Sequence, residues 1–217
     1  MSSIQLDRPW LTFDLGAKMQ VLSWAINRPG FVNARQIIWR EVRNADLPEN
    51  LDVVGWFDDE LKAHGLEQSV AFLTSRDVSW FIERTAKIGS VTAQSVVTVG
   101  LSNAERVGQR IDREGTDWGT INIAVRLNVG LGQAGLIEVL SIATQARTAA
   151  VIDLALPVVG GIATGTGTDC IAVAAPDGPV CFAGLHTDIG EAVGKAVYDA
   201  VLHGGQQWMS QMGKSTL

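Results

Sequence analysis

The order of hydrophobic patterns along the chain constrains its fold more than any other feature. Short runs of β-branched and aromatic residues come first, and two long segments with helical spacing of apolar residues follow. This order predicts an α+β fold: a layered α/β sandwich of mostly antiparallel or mixed sheets covered by helices. The predicted strands are 10–15, 19–26, 35–42, 70–75 and 119–128, a hairpin joins 79–90 to 92–100, and the helices are 58–64, 133–153 and one from Thr187 onward.

The last helix carries start and stop signals. Asp188 followed three residues later by Glu191 fits a capping box, and Gly204-Gly205 is expected to end the helix. Because the chain shows no internal repeat, low-complexity tract or flexible linker, we expect one domain over residues 1–217.

A turn signal at residues 176–179, Pro-Asp-Gly-Pro, predicts a hairpin over 164–184. In that hairpin Cys170 and Cys181 are separated by roughly 13 Å along the strands, which is beyond disulfide reach. Both are therefore expected to be buried, reduced thiols in a cytoplasmic protein.

Composition excludes several classes of protein. The chain has 217 residues, of which 47% are hydrophobic and 18% are charged, so it can bury a substantial core. The formal net charge is -6 with no dense basic run, which argues against a nucleic-acid partner. The first ten residues lack the pattern of a signal peptide, and polar residues interrupt the apolar stretches, so we expect no membrane partner and a cytoplasmic location.

A glycine-threonine loop precedes one of the apolar runs. Residues 161–176 read GIATGTGTDCIAVAAP, and the loop leads into a strand, so it is neither a P-loop nor a dinucleotide-binding fingerprint. Its backbone N–H groups could cradle an oxyanion. The alternative is a glycine-rich strand entry whose threonines satisfy local backbone groups.

Other polar groups lie at predicted element ends. They belong to the segments 100–103 and 119–122 and to His186, which could act as a general acid or base or could simply face solvent at a helix start. Arg147 is expected to pair with a nearby carboxylate, and Trp24, Trp80 or Trp118 could face a flat ligand. No HExxH or Cys-x-x-Cys motif is present, so we expect no metal site.

Together these segments resemble the adenosylcobinamide amidohydrolase family, the CbiZ-type enzymes of corrinoid salvage. The resemblance rests on the order and spacing of VGLSNAERVG, GTINIAVRLN, IEVLSIATQARTAAVIDL, ATGTGTDCIAVA and GLHTDIGEAVGKAVYDAV. The chain departs from the family pattern at Gln145, where an acidic residue is common, and at INRPGF, residues 26–31, where a glycine-rich turn is usual.

The resemblance implies hydrolysis of the amide that joins aminopropanol to the corrin side chain, giving adenosylcobyric acid and 1-amino-2-propanol. The corrinoid is then a small-molecule substrate, and no cofactor is implied. The nucleophile stays open: Thr166, Thr168 or Ser102 could attack directly if a base lies near, or a water activated by His186 or Asp169 attacks instead. The candidate catalytic residues are His186, Asp169 and Thr168, and the candidate substrate-binding residues are Ser102, Asn103, Arg106, Thr120, Asn122, Gly165, Thr166 and Gly167.

Three alternatives remain open from the sequence. One is a corrinoid-binding protein on the same scaffold without chemistry, and another is a hydrolase of an unrelated amide. The third concerns assembly, since a homo-oligomer is compatible with the sequence.

Overall fold

The computed structural model describes residues 3–43, 46–48, 50–112 and 119–215. It confirms an α+β layered fold, with a mixed sheet and helices packed on it. The elements are β1 (Ile4–Asp7), β2 (Trp10–Ser23), β3 (Gly30–Glu41), α1 (Val53–Ala63), β4 (Val70–Thr74), β5 (Ile82–Ile88), β6 (Val91–Val99), β7 (Ala104–Glu105), β8 (Ile121–Leu127), α2 (Gln133–Asp153), β9 (Pro157–Val158), β10 (Gly161–Ile162), β11 (Gly165–Thr166), β12 (Cys170–Ala175) and α3 (Asp188–Ser215).

The main sheet has the order β4-β3-β2-β12-β8-β6-β5, with β1 paired to β2. Strand β12 lies between β2, to which it is antiparallel, and β8, to which it is parallel. Both faces of a central strand are buried, which suits its apolar sequence CIAVAA. Two small ribbons, β7 with β11 and β9 with β10, stand outside this sheet.

The sheet folds back on itself where β2 bends. The register of the β2–β3 pair shifts between Asp14 and Met19, and Gly16 in this bulge has a φ of +81°. Phe13, before the bulge, packs in the same core as Ala172 of β12. We use the name first half-sheet for the part of β2 before the bulge together with β1, the end of β3 and β4. The rest of the sheet is the second half-sheet.

Helices cover the two outer faces. On the second half-sheet, α2 and α3 bury a core that includes Ile123, Val173 and Val197. On the first half-sheet, Phe57 of α1 packs against Ile38. The molecule is therefore built in four layers: one helix, two half-sheets face to face, and a helix pair.

Most predicted elements are confirmed, including the hairpin of β5 and β6 and the helix at 133–153. The short helix starts at Val53 rather than at residue 58. Asp52 explains the earlier start, because its side chain accepts a hydrogen bond from the backbone N–H of Gly55 at 3.1 Å and so caps the helix.

The predicted hairpin over 164–184 is wrong. Strand β12 pairs with β2 and β8, while the segment after it turns to the start of α2, where Leu131 N donates to Pro176 O at 2.9 Å and Gly132 N donates to Val180 O at 2.9 Å. Cys170 and Cys181 are both free thiols, and Cys181 is exposed rather than buried.

The predicted end of the last helix at Gly204-Gly205 is also wrong, because α3 continues to Ser215. A Cβ atom at Gly204 would lie 2.7 Å from Cγ2 of Val99, and one at Gly205 would overlap Leu154. These glycines therefore permit close packing of α3 on β6 and α2 rather than terminating the helix.

Helix α2 is long and apolar enough to cross a membrane by length and composition alone, with a mean hydropathy of 1.3, which the sequence-based expectation did not anticipate. In the structure 44% of that window is buried inside the protein, where it packs against α3 and β12.

We expect Gly204→Ala to destabilise the protein by about 1–3 kcal/mol, because the stiff, buried Val99 leaves no room for a methyl group. Gly194→Ala in the same helix is the matched control. Its nearest contact would be an ordinary 3.8 Å to Ile142, so the gain in helix propensity should stabilise the protein by up to about 1 kcal/mol. Urea denaturation of both variants measures the difference, and equal effects would contradict the packing role.

Candidate active site

A cleft, here called the rim cleft, opens at one rim of the interface between the half-sheets. Asn122, in the second half-sheet, spans this interface by donating from Nδ2 to the carbonyl oxygen of Leu73 at 2.8 Å. The cavity measures about 350 Å³. Its wall is largely apolar, with polar side chains gathered where β8 and β12 begin. The residues that line the cleft include Trp24, Ile26, Phe72, Thr120, Asn122, Thr168, Asp169 and Cys170.

Asp169 anchors the glycine-threonine loop at the floor of this cleft. Its Oδ1 accepts from Ile121 N at 3.0 Å and from the hydroxyl of Thr166. Its Oδ2 accepts from Thr166 N at 3.0 Å and from the guanidinium of Arg147. These four donors match the roughly four lone-pair sites of a carboxylate, so Asp169 has no acceptor site left for a substrate.

Burial raises the pKa of Asp169 above its usual range, and the Arg147 guanidinium and the Thr166 hydrogen bonds act in the opposite direction. The ion pair is itself buried, with side-chain exposures of 14% for Arg147 and 6% for Asp169. The expected pairing of Arg147 with a carboxylate is confirmed. Gly165 makes room for it, because a Cβ there would overlap Arg147 and lie 2.8 Å from Oδ2 of Asp169.

Thr168 carries a hydroxyl that two hydrogen bonds orient in the cleft. Its Oγ1 donates to Gly119 O at 3.0 Å and accepts from Nδ2 of Asn103 at 3.3 Å. Thr120 Oγ1 donates to Thr168 O at 2.9 Å and lies 3.3 Å from Oδ1 of Asn122. Neutral hydroxyl and amide groups therefore form a connected network at one end of the cleft.

The predicted substrate-binding residues divide between two sides of the loop. Thr120 and Asn122 line the rim cleft together with Thr168 and Asp169. Asn103 is fully buried behind Thr168, and Ser102 packs against Gly119. The structure therefore brings together residues from three separate segments of the chain.

Three other predicted residues line a second cavity on the far side of the loop. These are Arg106, Gly165 and Thr166, and we call their cavity the arginine pocket because Arg110 and Arg147 line it as well. Arg106, predicted to bind substrate together with Thr168, thus lines a different cavity from Thr168. Gly167 lies in neither cavity lining and sits between Glu105 and Asn103.

The expected oxyanion cradle of loop N–H groups is only partly available. Thr164 N donates to Glu105 O at 2.8 Å, Thr166 N donates to Asp169, and Gly167 N donates to Asn103 O at 3.4 Å. These three N–H groups already donate to acceptors within the protein and are not available to an oxyanion. This favours the alternative that the loop is a glycine-rich entry to the strand, held by hydrogen bonds within the protein.

His186 does not share a site with Asp169, contrary to expectation. It is exposed just before α3, and the preceding segment is held at α2, where Ala183 N donates to the carboxylate of Glu138. Asp169 precedes β12 while this segment follows it, and a strand of 6 residues extends roughly 20 Å. The two side chains therefore lie at opposite ends of the sheet.

Two residues at the cleft had weaker signals in the sequence. Trp24, one of three tryptophans considered for a flat ligand, lies at the cleft with 45% of its surface exposed and donates from Nε1 to Asp169 O at 2.9 Å. Trp80 lies elsewhere against Arg76, and Trp118 lies outside the described residues. Cys170 also lines the cleft, and burial raises the pKa of its thiol to about 12.

Within the described parts of the chain, no three histidine, cysteine, aspartate or glutamate side chains converge as metal ligands.

Comparison with known proteins identifies relatives at the family level. The sequence model of a family described as adenosylcobinamide amidohydrolase matches residues 2–213. Among curated proteins, none matches significantly. Solved structures with similarity include the PH0078 protein from Pyrococcus horikoshii OT3, at 10% identity and a TM-score of 0.43, covering 90% of this chain and 76% of the other. A beta-aminopeptidase from Burkholderia sp. has 12% identity and a TM-score of 0.45, covering 90% and 78%.

Asp169→Asn should destabilise the protein by about 3–5 kcal/mol, because it leaves the Arg147 cation buried without its counter-charge. The double variant with Arg147→Met should cost less than the sum of the single variants, since the two losses are coupled. Asp199→Asn, in the exposed Lys195 pair, is the matched control and should cost at most about 1 kcal/mol. Denaturant unfolding measures the free energy of unfolding of the two single variants, the double variant and the control. Additive losses of stability in the double variant would contradict a coupled pair.

Cys170 should resist alkylation despite lining the cleft. With a pKa of about 12, about one thiol in ten thousand is ionised at pH 8, and the thiolate is the reactive form. Native protein treated with iodoacetamide at pH 8 should be modified at the exposed Cys181 first, and unfolded protein should be modified at both. Peptide mass spectrometry shows which cysteine is alkylated first. Faster alkylation of Cys170 than of Cys181 would contradict a buried, protonated Cys170 thiol.

Proposed function

The chain belongs to the adenosylcobinamide amidohydrolase family, and from this premise we propose that it cleaves the amide between the corrin side chain and aminopropanol. The products would be adenosylcobyric acid and 1-amino-2-propanol, so the reaction would return an incomplete corrinoid to a form that can be rebuilt. The observation that carries the proposal is the rim cleft, in which an apolar channel ends in a network of neutral hydroxyl and amide side chains.

The size of the cleft supports entry of the substrate's arm rather than its ring. Its volume of about 350 Å³ is near the lower end of the range for sites that enclose a drug-sized ligand, about 300–1,000 Å³. The corrin macrocycle with its adenosyl group is much larger. It would rest at the mouth, where Trp24 and Ile26 are 45% and 40% exposed and offer an aromatic and aliphatic surface to a flat ring.

The floor of the cleft suits a neutral amide. The hydroxyl oxygens of Thr120 and Thr168 keep acceptor capacity, and the Asn122 amide keeps one N–H and one oxygen lone pair beyond its contacts with Leu73 O and Thr120. An amide substrate needs a donor for its carbonyl oxygen and an acceptor for its N–H. Charged partners would add a desolvation cost without a matching charge on this part of the substrate.

We assign the role of nucleophile to the Thr168 hydroxyl, with attack by water as the competing route. The hydroxyl is oriented by Asn103 and Gly119 and keeps one acceptor lone pair unused among the described contacts. Asp169 acts as a positioning residue here, because its carboxylate oxygens are occupied by four donors.

The bonds balance in both routes. In the direct route the Thr168 oxygen bonds to the amide carbon, the C–N bond breaks, and the hydroxyl proton leaves with the amine. Water then hydrolyses the ester, restoring the hydroxyl and releasing adenosylcobyric acid. In the competing route the water oxygen bonds to the amide carbon directly, one of its protons leaves with the amine, and no ester forms.

Thr168→Val should lower kcat by at least about 100-fold, because it keeps the side-chain shape and removes the nucleophile. Thr168→Ser should retain activity to within about tenfold. Thr92→Val, the same exchange at the other end of the sheet, is the matched control and should behave as the unchanged protein does. Turnover of adenosylcobinamide is followed by chromatographic detection of 1-amino-2-propanol and the cobyric acid.

Three outcomes of this assay separate the alternatives. Full activity of Thr168→Val would exclude its hydroxyl as nucleophile, and an ester adduct on Thr168 detected by mass spectrometry would exclude the water route. Tight corrinoid binding without amine release in the unchanged protein would indicate a non-catalytic binding protein. Cleavage of simple amides but not of corrinoids would indicate a different substrate.

A further inference from the structure

The arginine pocket lies across the glycine-threonine loop from the rim cleft and is not used by the proposed reaction. It measures about 620 Å³, and the residues that line it include Arg106, Arg110 and Arg147. Thr148 and Thr166 add hydroxyl groups to the lining. The pocket thus gathers three cations in one concave surface of a protein whose formal net charge is -6.

These cations are incompletely neutralised within the described part of the chain. Arg106 donates from Nη1 to the carbonyl oxygen of Ile162 at 3.0 Å, a neutral acceptor, and no described carboxylate forms an ion pair with Arg106 or Arg110. Arg147 contacts Asp169, yet its buried Nε has no hydrogen-bond partner. Glu105 is the carboxylate in the lining.

The unpartnered Nε of Arg147 is the most informative of these features. A buried donor without an acceptor is costly, and most such groups in folded proteins are satisfied by protein or ligand atoms. Arg147 also has a fixed position, because Asp169 holds its other end. An anion in the pocket would bring negative charge to Arg106 and Arg110, and it would reach the shielded Nε of Arg147 only after the guanidinium turned toward the cavity.

We propose that the arginine pocket binds the phosphoryl group of a small organic phosphate. Guanidinium groups recognise phosphate oxygens through paired, charge-assisted hydrogen bonds, and the threonine hydroxyls can supply further donors to a tetrahedral anion. A cavity of about 620 Å³ exceeds what an isolated inorganic anion needs, so it leaves room for an organic substituent beside the phosphoryl group. The proposal does not rest on the amidohydrolase reaction.

The test compares binding of inorganic phosphate and phenyl phosphate by isothermal titration calorimetry at constant ionic strength, without any corrinoid. Arg110 is exposed and has no described partner, so Arg110→Gln should fold normally and should bind both ligands about tenfold or more weakly. The affinity of Arg110→Lys should lie between those of the unchanged protein and Arg110→Gln, because lysine keeps the positive charge but lacks the planar guanidinium. Arg35→Gln, which removes an exposed arginine outside the pocket, is the charge-matched control and should bind as the unchanged protein does.

Phenyl phosphate should bind at least as tightly as inorganic phosphate if the pocket also accommodates the organic group. Equal affinities of Arg110→Gln and Arg35→Gln would overturn the proposal, because binding would then follow net charge rather than this pocket. Absence of binding heat with both ligands at millimolar concentration would overturn it as well.

Discussion

The buried carboxylate of Asp169 is the constraint on which the arrangement of both cavities depends. A buried carboxylate is costly unless donors surround it, and the donors here come from β8, from the loop and from α2. Three segments that are distant in the chain must therefore meet at one point. Satisfying Asp169 fixes the glycine-threonine loop between the start of the central strands and the flank of a helix.

The loop is consequently a thin wall between two chemically different cavities. Thr168 faces the rim cleft, which is lined by hydroxyls, an amide, a thiol kept protonated by burial and the carboxylate of Asp169, whose acceptor sites are occupied. Thr166 faces the arginine pocket. The wall can be this thin because Gly165 leaves space for the Arg147 guanidinium, which no larger residue would allow. The two proposed ligands, a neutral amide in the rim cleft and an anion in the arginine pocket, would therefore not compete for the same donors.

The spacing of apolar residues along each segment was enough to predict the layered α+β class, most strands and helix α2. This spacing indicates which side chains of a strand or helix are buried. It could not predict the partners of β12, since pairing with β8 is set by tertiary contacts rather than by the turn at residues 176–179. The same limit applies to the site. The strands β8 and β12 are parallel neighbours, so their starts bring together Thr120, Asn122, Thr168 and Asp169. His186 comes after β12 and therefore lies beyond the opposite end of that strand. Gly204-Gly205 resembles a stop signal in sequence, and only the neighbouring Val99 and Leu154 reveal close packing.

The occupied lone pairs of Asp169 change how the cleft can perform hydrolysis. A carboxylate that already accepts four hydrogen bonds would have to break one of them before it could take a proton from Thr168 or from water, whereas the hydroxyl of Thr166 already donates to it. Breaking the contact with Arg147 would leave a buried cation unpaired, and breaking the others would release the loop that carries Thr168. In the proposed direct route the proton of the Thr168 hydroxyl would therefore pass to the departing amine rather than to Asp169. On this proposal Asp169 contributes geometry, because its hydrogen bonds hold the loop that carries Thr168.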